Sequence, residues 1–121
     1  ELYQQDKKED TMKKRIVSFQ EYDWEVRMVR ADSTNLDGAR GITDYNISRI
    51  YIANNLSNIT LKQTLIHELT HAALYDYDHS ADDTTSEINF KNEEELCRFM
   101  EVAMSEIYEQ AMEIYEDWKR N

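Results

Sequence analysis

The chain has 121 residues, of which 40% are apolar and 32% charged, with a formal net charge of −11. That suffices for one domain around one modest core, and no window approaches the about 20 consecutive apolar residues of a membrane-spanning helix. The lone cysteine, Cys97, excludes an internal disulfide framework; with no leader pattern in view, the expected location is the cytoplasm.

The charge is unevenly placed. Residues 1–60 carry 9 Lys+Arg against 10 Asp+Glu, whereas residues 61–121 carry 5 against 15. An acidic C-terminal half repels phosphate backbones, so nucleic acid is not an expected partner; a basic or cationic partner suits it better, and the plain alternative is that the charge serves solubility. There is no proline, no repeat and no Gly/Ser linker. The expected organisation is therefore a flexible polar arm over residues 1–14 followed by one folding unit, residues 15–121.

From Ile16 the sequence takes a period of two. Ile16 and Val17 open a short run, then Tyr22, Trp24, Val26 and Met28 alternate with Asp23, Glu25 and Arg27, which predicts a half-buried strand pair. Asp37-Gly38 and Gly41 are the only glycine-bearing turn signals, and from there to Ile47–Ile52 the pattern predicts a turn, a short strand and a second hairpin arm. The N-terminal half thus reads as a small, mostly antiparallel sheet of three or four strands ending near Ala53.

After Asn58 the period becomes helical. Thr60-Leu61-Lys62-Gln63 fits a capping box, and Leu61, Leu65, Leu69 and Ala72 or Ala73 then recur at helical spacing, predicting a helix to about Tyr75 or Tyr77. A polar loop carrying Ile88 and Phe90 is expected over residues 78–91. Asn92 then caps a last, long helix with acids in its first turn, its buried stripe being Cys97, Met100, Met104, Ile107, Ala111 and Ile114.

Inside the first helix lies His67-Glu68-Leu69-Thr70-His71, an HExxH pattern. Shuffling a chain with so few histidines produces it in roughly 0.6% of arrangements. Four residues along a helix are about 400° of rotation and about 6 Å of rise, so both imidazoles project from one face and can grip one ion. Zinc takes neutral imidazoles and, in catalytic sites, one further protein ligand, leaving a position for water. Glu68 is placed to take that water's proton.

For the third ligand, a glycine at 74 and a histidine at 77 would mark an extended His-rich motif, but Leu74 and Tyr77 stand there. His79, past the helix end, competes with the run Glu93-Glu94-Glu95. Counting back from Cys97 selects Glu94, with Glu93 as runner-up and Glu95 placed to cap the helix. Candidates for stabilising a developing oxyanion are His79, Tyr75 and Tyr77, and the strand near Ile50 is expected to receive an extended substrate by backbone pairing.

The stretch Thr64-Leu65-Ile66-His67-Glu68-Leu69-Thr70-His71-Ala72, followed by Asn92-Glu93-Glu94-Glu95-Leu96-Cys97, resembles the compact gluzincin-type metallopeptidases of phages and mobile elements, related to the ImmA/IrrE group. Gly41-Ile42-Thr43-Asp44 and Ile50-Tyr51-Ile52 ahead of the motif are similar too. The resemblance implies an α+β minimal zincin in which His67, His71 and Glu94 hold zinc, Glu68 is the general base, and a peptide bond of a protein or peptide substrate is hydrolysed. Two rival expectations are a zinc-stabilised acidic interaction module or phage-borne inhibitor without hydrolytic activity, and a metal-free acidic DNA mimic.

Overall fold

Period-two segments rich in aromatic and β-branched residues form the strands, and the computed structural model describes residues 11–78 and 93–119. Strands β1 (Thr11–Ser18), β2 (Asp23–Val29), β3 (Gly41–Asp44) and β4 (Arg49–Ala53) precede helices α1 (Asn58–Asp78) and α2 (Glu93–Lys119). The architecture is α+β. The sheet order is β1-β2-β4-β3; β1 pairs antiparallel with β2 and β3 with β4, whereas β2 and β4 are parallel.

That parallel pair makes the sheet mixed. It arises because the chain leaves β2, runs through residues 30–40, and enters β3 at the far edge before reversing into the interior position. The crossing loop is anchored by Leu36, fully buried with Val29, Tyr51 and Ala53 on the outer face of the sheet. Asp37 and Gly38 adopt left-handed backbone there, at φ 50° and 85°, where glycine carries no steric cost. The β3–β4 reversal uses no glycine: Asp44 accepts the Asn46 amide at 3.0 Å and Ser48 takes φ 54°.

The strand β1 starts at Thr11 and pairs with Val29 at its first position, so residues 11–14 belong to the sheet and not to the arm expected over 1–14. Residues 1–10 lie outside the described set.

The inner face of the sheet presents Val17, Trp24, Val26, Ile50 and Ile52 to both helices. From α1 come Leu61, Leu65, Leu69, Ala72 and Ala73; from α2 come Ala103, Ile107, Ala111, Ile114, Tyr115 and Trp118. Helix α1 begins earlier than the Thr60 capping box predicts. Ser57 is the cap: its Oγ accepts the Thr60 amide at 3.2 Å and its carbonyl the Leu61 amide at 2.7 Å. The last turn of α1 carries Asp76, 1% exposed, whose carboxylate accepts the Glu21 amide at 2.7 Å, the Tyr22 amide at 3.1 Å and Trp24 Nε1 at 3.1 Å. One side chain thereby fixes the β1–β2 turn to the helix end.

The buried stripe of α2 is shorter than its periodicity predicts. Ile107, Ala111 and Ile114 are buried, but Cys97, Met100 (39% exposed) and Met104 (51%) are exposed. Tyr77, on the last turn of α1, already meets Phe99 edge-on at 5.9 Å and donates to Glu106, so α1 ends level with the second to fourth turns of α2. The expected cap Asn92 and the loop with Ile88 and Phe90 fall outside the described residues.

Candidate metal site on the first helix

Helix α1 lays Leu61, Leu65 and Leu69 on the core, which turns the motif histidines outward. His67 and His71 are exposed, their Nε2 atoms 3.2 Å apart and their rings edge-on with centroids 4.8 Å apart. Two nitrogens each about 2.0–2.1 Å from one tetrahedral ion would stand about 3.4 Å apart, so the pair needs almost no rearrangement to chelate. The donor set fits zinc on chemistry as well, since neutral imidazole is an ordinary ligand for it.

Glu68 turns the other way, towards β3, and is 6% exposed. Thr43 Oγ1 donates to its Oε1 at 2.6 Å, a short bond of the charge-assisted kind. Gly41 makes the close approach possible: a Cβ there would stand 2.8 Å from Thr64 Cγ2, 2.9 Å from Glu68 Cγ and 3.1 Å from Glu68 Oε2. Thr43 therefore holds one carboxylate oxygen, and the bare Cα of Gly41 leaves room for the other. Neither residue was singled out for the site by sequence, because their meeting with Glu68 spans 25 to 27 positions and leaves no local periodic trace.

A cleft of about 480 Å³ opens beside this carboxylate, bounded by Arg40, Gly41, Gln63, Thr64, His67 and Glu68. A second hollow of about 410 Å³ lies along the helix past His67, His71 and Leu74. His67 borders both. The strand β3 is an edge of the sheet. The Ala53 amide donates to the Arg40 carbonyl at 2.9 Å, so Arg40, Ile42 and Asp44 direct their backbone groups at β4 while those of Gly41 and Thr43 face outward. By contrast, the strand near Ile50 is β4, flanked by β2 and β3, and has no free edge for a substrate.

The remaining candidates are dispersed. Tyr77 points to α2, donating to Glu106 at 2.9 Å; burial first, and then this bond and the Glu106 charge, push its phenol up to about 12. Tyr75 packs into an aromatic group with Tyr22, Trp24 and Tyr45. Tyr45, stacked on Tyr75 at 4.9 Å, has its phenol raised by burial and then by the nearby charge of Glu68, and it is the tyrosine that the sequence did not single out. Glu94 is exposed on the first turn of α2. That helix meets α1 at Lys62 and Tyr77, through Tyr115 and Phe99, on a flank about 130° round from the imidazoles. Among the described residues no group of three or more His, Cys, Asp or Glu could hold a metal ion. His79 and the side chains of Glu93 and Glu95 lie outside that set. Comparison with family models, with curated proteins and with solved structures returned no match to this chain.

Proposed function

We propose that the protein is a zinc-dependent metallopeptidase of minimal zincin type, with His67 and His71 as two metal ligands, Glu94 as the third and Glu68 as general base. The observation that carries the reading is the 3.2 Å approach of the two Nε2 atoms, one residue from a carboxylate braced by Thr43. Zinc, when bound, supplies a Lewis acid that polarises a carbonyl and acidifies water. The chain's own residues do the rest. Glu68 accepts the proton of the attacking water and later returns it to the leaving amine. Thr43 holds Oε1, so the carboxylate turns its other oxygen over Gly41 towards the cleft. An extended peptide pairs with the outward backbone groups of Gly41 and Thr43 at the free β3 edge, which brings its carbonyl alongside His67 and Glu68.

The test is Glu68→Gln. The variant should keep its circular dichroism and zinc content while cleavage of a proteome-derived peptide library falls at least about a hundredfold, the range of a lost general base. Equal cleavage by variant and wild type overturns the enzyme reading, and undetectable cleavage by a wild type that holds zinc favours the interaction module. The third ligand is the member that the described geometry does not carry. Glu94→Ala should weaken zinc binding, read by chelator competition, at least tenfold more than Glu93→Ala. The reverse order transfers the role to Glu93.

A further inference from the structure

The N-terminal half of α2 carries an apolar stripe that nothing in the proposed chemistry uses. Leu96, Met100, Met104 and Tyr108 are 42%, 39%, 51% and 56% exposed. Each four-residue step turns about 40°, so the four side chains sweep about 120° of one helix face, and Cys97, also exposed, falls within it. This face is the continuation of the core stripe. Ile114 stands about five full turns beyond Leu96 at the same angle, yet it is 1% exposed. Surface apolar residues scattered singly are ordinary, whereas a stripe at core spacing marks a surface that takes a partner.

The surrounding charge states the partner's chemistry. Residues 93–110 contain six glutamates and one cation, Arg98. By the helical angle Glu101 borders the stripe on the side away from α1 and is exposed. A second copy would bring the same acids face to face on chains of net charge −11, and anionic lipid would meet the same repulsion. We propose that this face of α2 docks an amphipathic basic helix of a protein partner, whose leucine-type residues lie along Leu96, Met100, Met104 and Tyr108 and whose lysines or arginines pair with Glu101. The two methionines suit this use, since their unbranched chains adapt to different apolar partners. The inference needs neither zinc nor catalysis.

The probe is a fluorescein-labelled 14-residue peptide with leucines at positions i, i+3, i+4 and i+7 and lysines elsewhere, titrated with the whole chain and followed by anisotropy. Binding should saturate, weaken as salt rises, and fall at least tenfold in the Met100→Asp/Met104→Asp variant. Both positions are exposed, so circular dichroism should be unchanged. Ile59→Asp, at a 70% exposed apolar position on the first turn of α1, should leave binding as in wild type. Equal binding by wild type and the double variant overturns the proposal, as does equal binding of a lysine-matched peptide lacking the leucines. A dimer in sedimentation that the double variant abolishes assigns the face to a second copy, and saturable binding to phosphatidylserine vesicles lost in that variant assigns it to a membrane; either result also overturns it.

Discussion

Helix α1 has every flank assigned: Leu65 and Leu69 on the core, Glu68 and Thr64 against β3, Tyr77 against α2, and two imidazoles in solvent. Helix α2 is longer, 27 residues against 21, but its buried positions begin only at Ala103, and Leu96, Met100, Met104 and Tyr108 stay exposed. The difference teaches where rigidity is concentrated. The proposed site, which would have to hold two nitrogens and a carboxylate in fixed relation, lies on the element whose neighbours fix its rotation, because packed side chains leave a helix no freedom to turn. The N-terminal half of α2, braced on one side by Tyr77 and Phe99, is suited to contacts that form on arrival of a partner.

The contrast breaks or holds first in the core. Leu69 is fully buried between sheet and helices and sits between His67 and His71. Leu69→Ala should cost about 2–5 kcal/mol in urea unfolding, the range for a large-to-small change at a packed site. A loss below 1 kcal/mol would show that α1 is not the rigid element. Next comes the helix end. Asp76→Asn offers one acceptor oxygen and an NH₂ group where three donors now converge, so it should cost about 1–3 kcal/mol. Its effect should also appear as faster amide exchange at Glu21 and Tyr22, a readout that a general softening of the core would not confine to that turn.

How much of this could be read from the sequence follows from which contacts are local. The motif helix was legible because His67, Glu68 and His71 report their relation through a period shared with Leu61, Leu65 and Leu69. The strands were legible from Trp24, Val26 and Met28, and the chain end of the sheet at Ala53 was as expected. Pairing was not, since nothing in β2 or β4 records that they run parallel; that depends on the path through Leu36. Thr60 looked like the cap because Gln63 completes the box, but Ser57 stands one turn earlier and its oxygen reaches the free Thr60 amide. The bracing of Glu68 by Thr43 and the clearance at Gly41 are contacts of two distant segments, invisible to any periodic reading. Periodicity also overextended the α2 core: it identifies the apolar face of a helix but carries no information on where the opposing helix stops.

The smallest expected effect is the most discriminating for that last point. Met104→Ser removes an apolar side chain at the angle of the core stripe, so a reading from helical periodicity alone equates it with Leu69→Ala. The structure leaves Met104 51% exposed, although the adjoining Ala103 is fully buried. Little apolar surface is withdrawn from water there, and no cavity forms when the side chain is shortened, so the change should stay within about 0.5 kcal/mol by urea unfolding. A loss of 2 kcal/mol or more would mean that the stripe is covered within the folded chain. In that event the two helices would be equally enclosed, and the proposed docking face would already be filled.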